Sequence, residues 1–226
     1  MHRKTLFVSL TPRETFLGFG LLAIYLAASL VLPKSLPLAL VICGLTLLLF
    51  RRFLRDTIHM PLMPLTRILW KTVLATASVQ LFNLLMNDLF LPFFPEYFVW
   101  GESGPAFYNV HKAALAAAAG ERFWRTALWA ALLVPVTEEL LYRGVLFGTL
   151  HNKLGWPAYP ATALLYALVF TIPLWGTCPP SFVVIHFLQT LPMSLILGWA
   201  YASGDSILIP LLAHILLNAM SVFSMR

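Results

Sequence analysis

The stretch LGWPAYPATALLYALVFTIPLWGTCPPSFVVIHFLQTLPMSLILGWAYASG, Leu154 to Gly204, contains no Asp, Glu, Lys or Arg. A membrane helix needs about 20 apolar residues to cross a hydrocarbon core of about 30 Å. The stretch is too long for one such helix, and Gly176-Thr177-Cys178-Pro179-Pro180 is a strong local break. It therefore reads as two membrane helices joined by a turn. The rest of the chain has the same character: 226 residues, 60% hydrophobic and 11% charged, with a net charge of +6. Mean hydropathy is +0.83. Soluble domains are about 25% charged, so a disordered chain is excluded and a soluble globular domain is argued against. The basic residues flank apolar runs and form no single patch, which argues against nucleic acid. Cys43 and Cys178 have neither metal-ligand spacing nor the setting of a disulfide framework.

Working outward, further charge-free runs extend from Thr15 to Leu32, from Ser35 to Phe50, and from Thr72 to Asn87 or Phe94 if Asp88 is tolerated. Another runs from Phe123 to Leu150, interrupted by a knot of charge, and the last from Ser206 to Met225. The expected fold is an all-α, polytopic integral membrane helical bundle of about seven spans, forming one transmembrane domain over residues 1–226. Arg13 and Glu14 directly precede the first run, which is longer than a signal-peptide core, so it reads as an uncleaved helix. Arg3, Lys4, Arg13, Arg51, Arg52, Arg55, Arg67, Lys71 and Lys153 share one side. By the positive-inside rule the N-terminus is expected in the cytoplasm and the C-terminus outside, in a multi-pass protein of the cell membrane. Ala113 to Ala119 suggests an amphipathic surface helix.

Ionisable residues in lipid are expensive, roughly 2.5–3.5 kcal/mol each on insertion scales, so those that occur mark sites. Glu138, Glu139 and Arg143 sit in the middle of the fourth run. Glu139 and Arg143 are four apart and can pair on one helix face. Glu138 points about 100° away and has no local partner, while Pro135 loosens the helix one turn earlier. A structural salt bridge accounts for Glu139 and Arg143 but not for Glu138. His214 and Asn218, also four apart, project from one face of the last helix. His186 opens the sixth span. Asn83 and Asn87 read as helix–helix hydrogen-bonding residues, Gly144 and Gly148 as a close-packing face, and Trp100, Trp156, Trp175 and Trp199 as interface anchors.

A carboxylate and a histidine can deprotonate a water and return the proton to a leaving amine. A second histidine with an amide can donate to the oxyanion of an attacked carbonyl. That set suffices for peptide hydrolysis with Glu138, His186, His214 and Asn218 as catalytic candidates and Glu139 and Arg143 as support. No Ser or Cys has the setting of an activated nucleophile, and there is no His-Glu-x-x-His helix. No cofactor is expected. If a divalent metal such as zinc were bound, Glu138, His186 and His214 would be its ligands.

The order Glu-Glu-x-x-x-Arg, Phe-x-x-x-His and His-x-x-x-Asn on successive helices resembles the CAAX-protease and bacteriocin-processing family, also called CPBP or Abi. The resemblance covers roughly Arg122 to Ser224, the expected catalytic core (122–224). Its best-fitting text is Val134-Pro135-Val136-Thr137-Glu138-Glu139-Leu140-Leu141-Tyr142-Arg143-Gly144, and Leu197-Gly198-Trp199-Ala200-Tyr201 followed by Gly204, Ser206 and Ala213-His214 through Asn218. Residues 1–121 carry no motif. The resemblance implies a helical bundle with a conical cavity and an intramembrane endopeptidase acting on peptide or protein substrates, lipidated ones among them. It implies that Glu138 activates water with a middle-motif histidine, that Glu139 and Arg143 brace the site, and that His214 and Asn218 hold the oxyanion.

One departure matters. By the family register the middle histidine falls at Leu174, while Phe182 to His186 lies beyond the Pro-rich turn. His186 is expected to take the histidine's place in space. The alternative is a catalytically silent relative, such as a bacteriocin-immunity or membrane accessory protein. A third reading is a proton-coupled carrier using Glu138 and His214 as a relay, which lacks the paired broken helices of transporters.

Overall fold

The computed structural model describes residues 8–31, 35–58, 64–94, 123–176 and 178–223. The expected surface helix at Ala113 to Ala119, and Trp100, lie outside them. Among the described residues there are helices and no strands: α1 (Pro12–Val31), α2 (Leu36–Leu49), α3 (Arg51–Ile58), α4 (Leu65–Phe90), α5 (123–154), α6 (Ala158–Thr171), α7 (Pro180–Gly204) and α8 (Leu208–Phe223). The described residues of every apolar run are mainly helical, and the chain is an all-α membrane helical bundle. Among the described residues α1, α4 and α7 are each long and apolar enough to cross a bilayer alone. The chain bends by 66° between α2, the second run, and the helix α3 that follows it. The bend follows composition: α3 carries Arg51, Arg52 and Arg55 on its outer side and buries Phe53 and Thr57.

Helix α5 is the axis of the bundle. It touches α1, α2, α6, α7 and α8, while α4 packs on α7 and α8 from outside. Every residue from Glu139 to Phe147 is buried. Phe50, Phe53, Leu140, Leu141, Val145, Phe147 and Ile207 form one core around it. Lipid tails are as apolar as leucine, so such contacts hold by close fit and not by escape from water. Small residues supply the fit. A Cβ on Gly18 would lie 2.7 Å from Val145 Cγ2, so α1 seats against α5 there. A Cβ on Gly148 would lie 3.3 Å from the Arg143 carbonyl, and one on Gly198 3.3 Å from the Phe147 ring, where α5 meets α7. A Cβ on Gly144, expected to share that role with Gly148, would meet Phe53 at 3.8 Å and the Glu139 carbonyl at 4.0 Å, ordinary contacts both. Across the seam to α7, Gly148 faces the Tyr201 side chain, 3.6 Å from where its Cβ would be.

The start of α1 is tied down by a capping box. The Thr11 amide and hydroxyl donate to Glu14 Oε2 at 2.8 and 2.9 Å, and the Glu14 amide donates back to Thr11 Oγ1 at 3.2 Å. Arg52 of α3 forks onto both Glu14 oxygens at 3.1 and 2.7 Å and reaches Asp56 at 2.8 Å. Between α4 and α7, Gln189 donates to Asn87 Oδ1 at 3.0 Å, the kind of bond expected of Asn87. At their other ends Lys71 donates to the Ser203 carbonyl. Trp156 and Trp175 stand largely exposed at helix ends.

Candidate active site

Two stretches of α5, Leu128–Leu133 and Glu139–Phe147, are π-helical, separated by the α-turn Val134–Glu138. Wide turns of this kind are frequent at functional sites. Pro135 explains part of the geometry. The Val134 amide bonds to the Trp129 carbonyl five residues back, and the next amide in that register would serve Ala130. That residue is Pro135, which has no N–H. The Asn218 side chain donates from Nδ2 to the Ala130 carbonyl at 2.8 Å instead. The amide of α8 thus satisfies a backbone group that a proline of α5 has left open.

This anchoring brings His214, one turn before Asn218, against the carboxylates of α5. His214 Nδ1 lies 2.7 Å from Glu139 Oε1. An ionised carboxylate only accepts, so the Nδ1–H donates and the ring is oriented. Its Nε2 then faces Glu138 Oε2 at 3.9 Å. Arg143 Nη1 stands 3.1 Å from Glu139 Oε1, as the i,i+4 spacing implies. The pair is coulombic and not aligned as a hydrogen bond: among the described residues neither terminal guanidinium nitrogen has a hydrogen-bond partner. The guanidinium instead lies 4.6 Å from the centroid of the Tyr166 ring, a cation–π contact. Glu138, Glu139, Arg143 and His214 are all buried.

Glu138 was expected to lack a local partner. The structure supplies partners from distant helices. Tyr25 of α1 donates to Oε1 at 2.7 Å and Tyr166 of α6 donates to Oε2 at 3.0 Å. Sequence reasoning missed both tyrosines. A Tyr in an apolar run reads as an interface anchor; both lie well inside their runs, and that depth was the signal available.

The described contacts therefore group Glu138, Glu139, Arg143, His214 and Asn218. His186 has its ring stacked on Phe182 at a centroid distance of 6.1 Å. Phe182 and Ile185 cluster with Phe90, Phe94, Leu174 and Cys178. Tyr166, which reaches Glu138, lies eight residues before Leu174, about 12 Å along the helix. Among the described residues no three His, Cys, Asp or Glu side chains converge as metal ligands, so Glu138, His186 and His214 do not form such a set there.

A paired glutamate, a histidine and an arginine enclosed by membrane helices define a class: membrane bundles with a buried carboxylate–histidine site. Residues 120–220 match the family model described as Rce1-like, type II CAAX prenyl endopeptidase. The resemblance read over Arg122 to Ser224 is thereby borne out over the matched residues. The chain is also 30% identical over 87 residues to the UPF0177 protein YxdF of Lactococcus lactis subsp. lactis (strain IL1403). That match spans 38% of this chain and 42% of the relative's length. No solved structure matches the chain.

Proposed function

We propose that the chain is an intramembrane endopeptidase of the CAAX-protease type, cleaving a peptide bond near the end of a lipidated or membrane-embedded substrate. Water oxygen bonds to the carbonyl carbon as its proton passes to Glu138. The C–N bond then breaks as Glu138 returns that proton to the leaving nitrogen. His214, carrying hydrogen on both ring nitrogens in this step, donates from Nδ1 to Glu139 and from Nε2 to the developing oxyanion. Asn218 joins it with the second hydrogen of the Nδ2 group that already serves Ala130. Arg143 braces Glu139. In this reading the reaction does not pass through His186, and His186→Ala retains activity. The basic ends of α1, α3 and α4 support a cytoplasmic N-terminus.

The observation that carries the proposal is the convergence of Glu138 and Glu139 of α5 on the two nitrogens of His214 from α8. Its test is Glu138→Gln in liposomes with an internally quenched farnesylated peptide of the CAAX type. The variant keeps the shape and loses the base, so cleavage falls by about a hundredfold or more while the melting temperature holds. Cleavage at the wild-type rate removes Glu138 from the mechanism. The second reading, a silent accessory protein, draws on the two phenols that cover Glu138 and on Leu174. A wild-type protein that cleaves nothing but binds the same peptide supports it.

A further inference from the structure

We infer that the two tyrosines on Glu138 have different tasks: Tyr166 is a fixed positioning residue, and Tyr25 holds the oxygen that the attacking water takes, giving way when substrate enters beside α1. The inference rests on the peptidase reading. A carboxylate offers about four lone-pair sites. Each phenol occupies a separate oxygen of Glu138, at 2.7 and 3.0 Å. The carboxylate is 1% exposed, so a water and a peptide reach it only if one neighbour moves.

The two phenols are not held alike. Tyr166 is 2% exposed. Its ring meets Tyr142 at 4.8 Å, Phe170 at 4.5 Å and the Arg143 guanidinium at 4.6 Å. Its helix α6 is braced by α5 and α7. Displacing Tyr166 means breaking all of these contacts. Tyr25 is half-buried on α1, beside the outward-facing Ile24. The strong described contacts of α1 are with α2 and α5 alone, and its N-terminal turn is pinned by Glu14 and Arg52. A small outward tilt about that pinned end frees Oε1 and opens a path from the lipid side. Tyr166 and His214 Nε2 both face Oε2, so the carboxylate keeps its orientation while Oε1 accepts a hydrogen from water.

The full-length protein in phosphatidylcholine–phosphatidylglycerol liposomes, with the farnesylated peptide above, provides the test. A hydrogen bond to a charged group corresponds to about ten- to a hundredfold in rate. Tyr166→Phe is expected to lower kcat by that factor with KM within about twofold. Tyr25→Phe is expected to keep kcat and lower KM severalfold, because substrate no longer displaces a hydrogen bond. Equal losses of kcat in the two variants, or a wild-type kcat in Tyr166→Phe, overturn the inference. If Tyr166→Phe fails to insert, 3-fluorotyrosine at position 166 keeps the ring and changes the donor. Its kcat must then move while that of the same replacement at position 25 does not. Infrared difference spectra, wild type minus Glu138→Gln, isolate the Glu138 carboxyl band without substrate. Both Tyr→Phe changes should shift it, and an unmoved band overturns the assigned contacts. A protein that cleaves nothing yet shows both shifts overturns the peptidase reading and the exchange at Tyr25 with it.

Discussion

Arg143 is a buried charge that ties two parts of the candidate site together. Its guanidinium balances Glu139 at 3.1 Å and lies over the Tyr166 face, so it links the carboxylate that orients His214 to the tyrosine that holds Glu138. Removing one half of a buried pair leaves an uncompensated charge, which costs roughly 3–5 kcal/mol. Arg143→Ala is therefore expected to lose stability in a thermal melt in detergent as well as activity. Arg143→Lys keeps the charge but not the planar face and is expected to recover only part of the stability. A stable, inactive Arg143→Ala protein would instead place the guanidinium at the reacting atoms. The pairing of Glu139 with Arg143 was legible in the sequence because i,i+4 contacts are local. Tyr25 was not, since its bond to Glu138 joins residues 113 apart and no local pattern encodes it.

At the scale of elements, the joint between α5 and α8 rests on a proline and an amide that correct one another. Pro135→Ala restores the missing N–H, so the Ala130 carbonyl regains a partner within its own helix. Asn218→Ala alone should destabilise by about 1 kcal/mol, the range of interhelical side-chain hydrogen bonds in membranes. In the Pro135→Ala background it should cost measurably less. A double-mutant cycle of unfolding in mixed micelles reads that coupling, and strict additivity would refute the assignment. His214 and Asn218 were readable as a shared face because their spacing is helical. The acceptor of Asn218 was not, because it depends on a π-helical register that hydropathy does not reveal. The bend after α2 went unread for a related reason: charge-free counting sees the apolar run end at Phe50 and not the new direction of the chain.

For the whole molecule, the proposed opening at Tyr25 turns on how α1 seats on α5. Gly18→Ala drives a methyl to 2.7 Å from Val145 and 3.0 Å from Phe50, and overpacking of this sort costs about 1–3 kcal/mol. The expected outcome is a lower melting temperature together with a loosened Tyr25, seen as the same infrared shift that Tyr25→Phe produces. A wild-type melt and spectrum would mean that α1 is not seated there. The bond between His214 and Glu139 also spans 75 residues, and this has a consequence for biosynthesis. While the chain emerges from the ribosome, Glu139 can settle at once with Arg143, four residues on. Glu138 can meet Tyr25 already, and Tyr166 soon afterwards. The imidazole arrives only with α8, so for tens of residues of translation α5 waits in the translocon or among lipids with its charges half-matched. Nascent chains stalled before α8 should be cleared by membrane quality control faster than chains released after it, with α8 acting as the keystone of assembly.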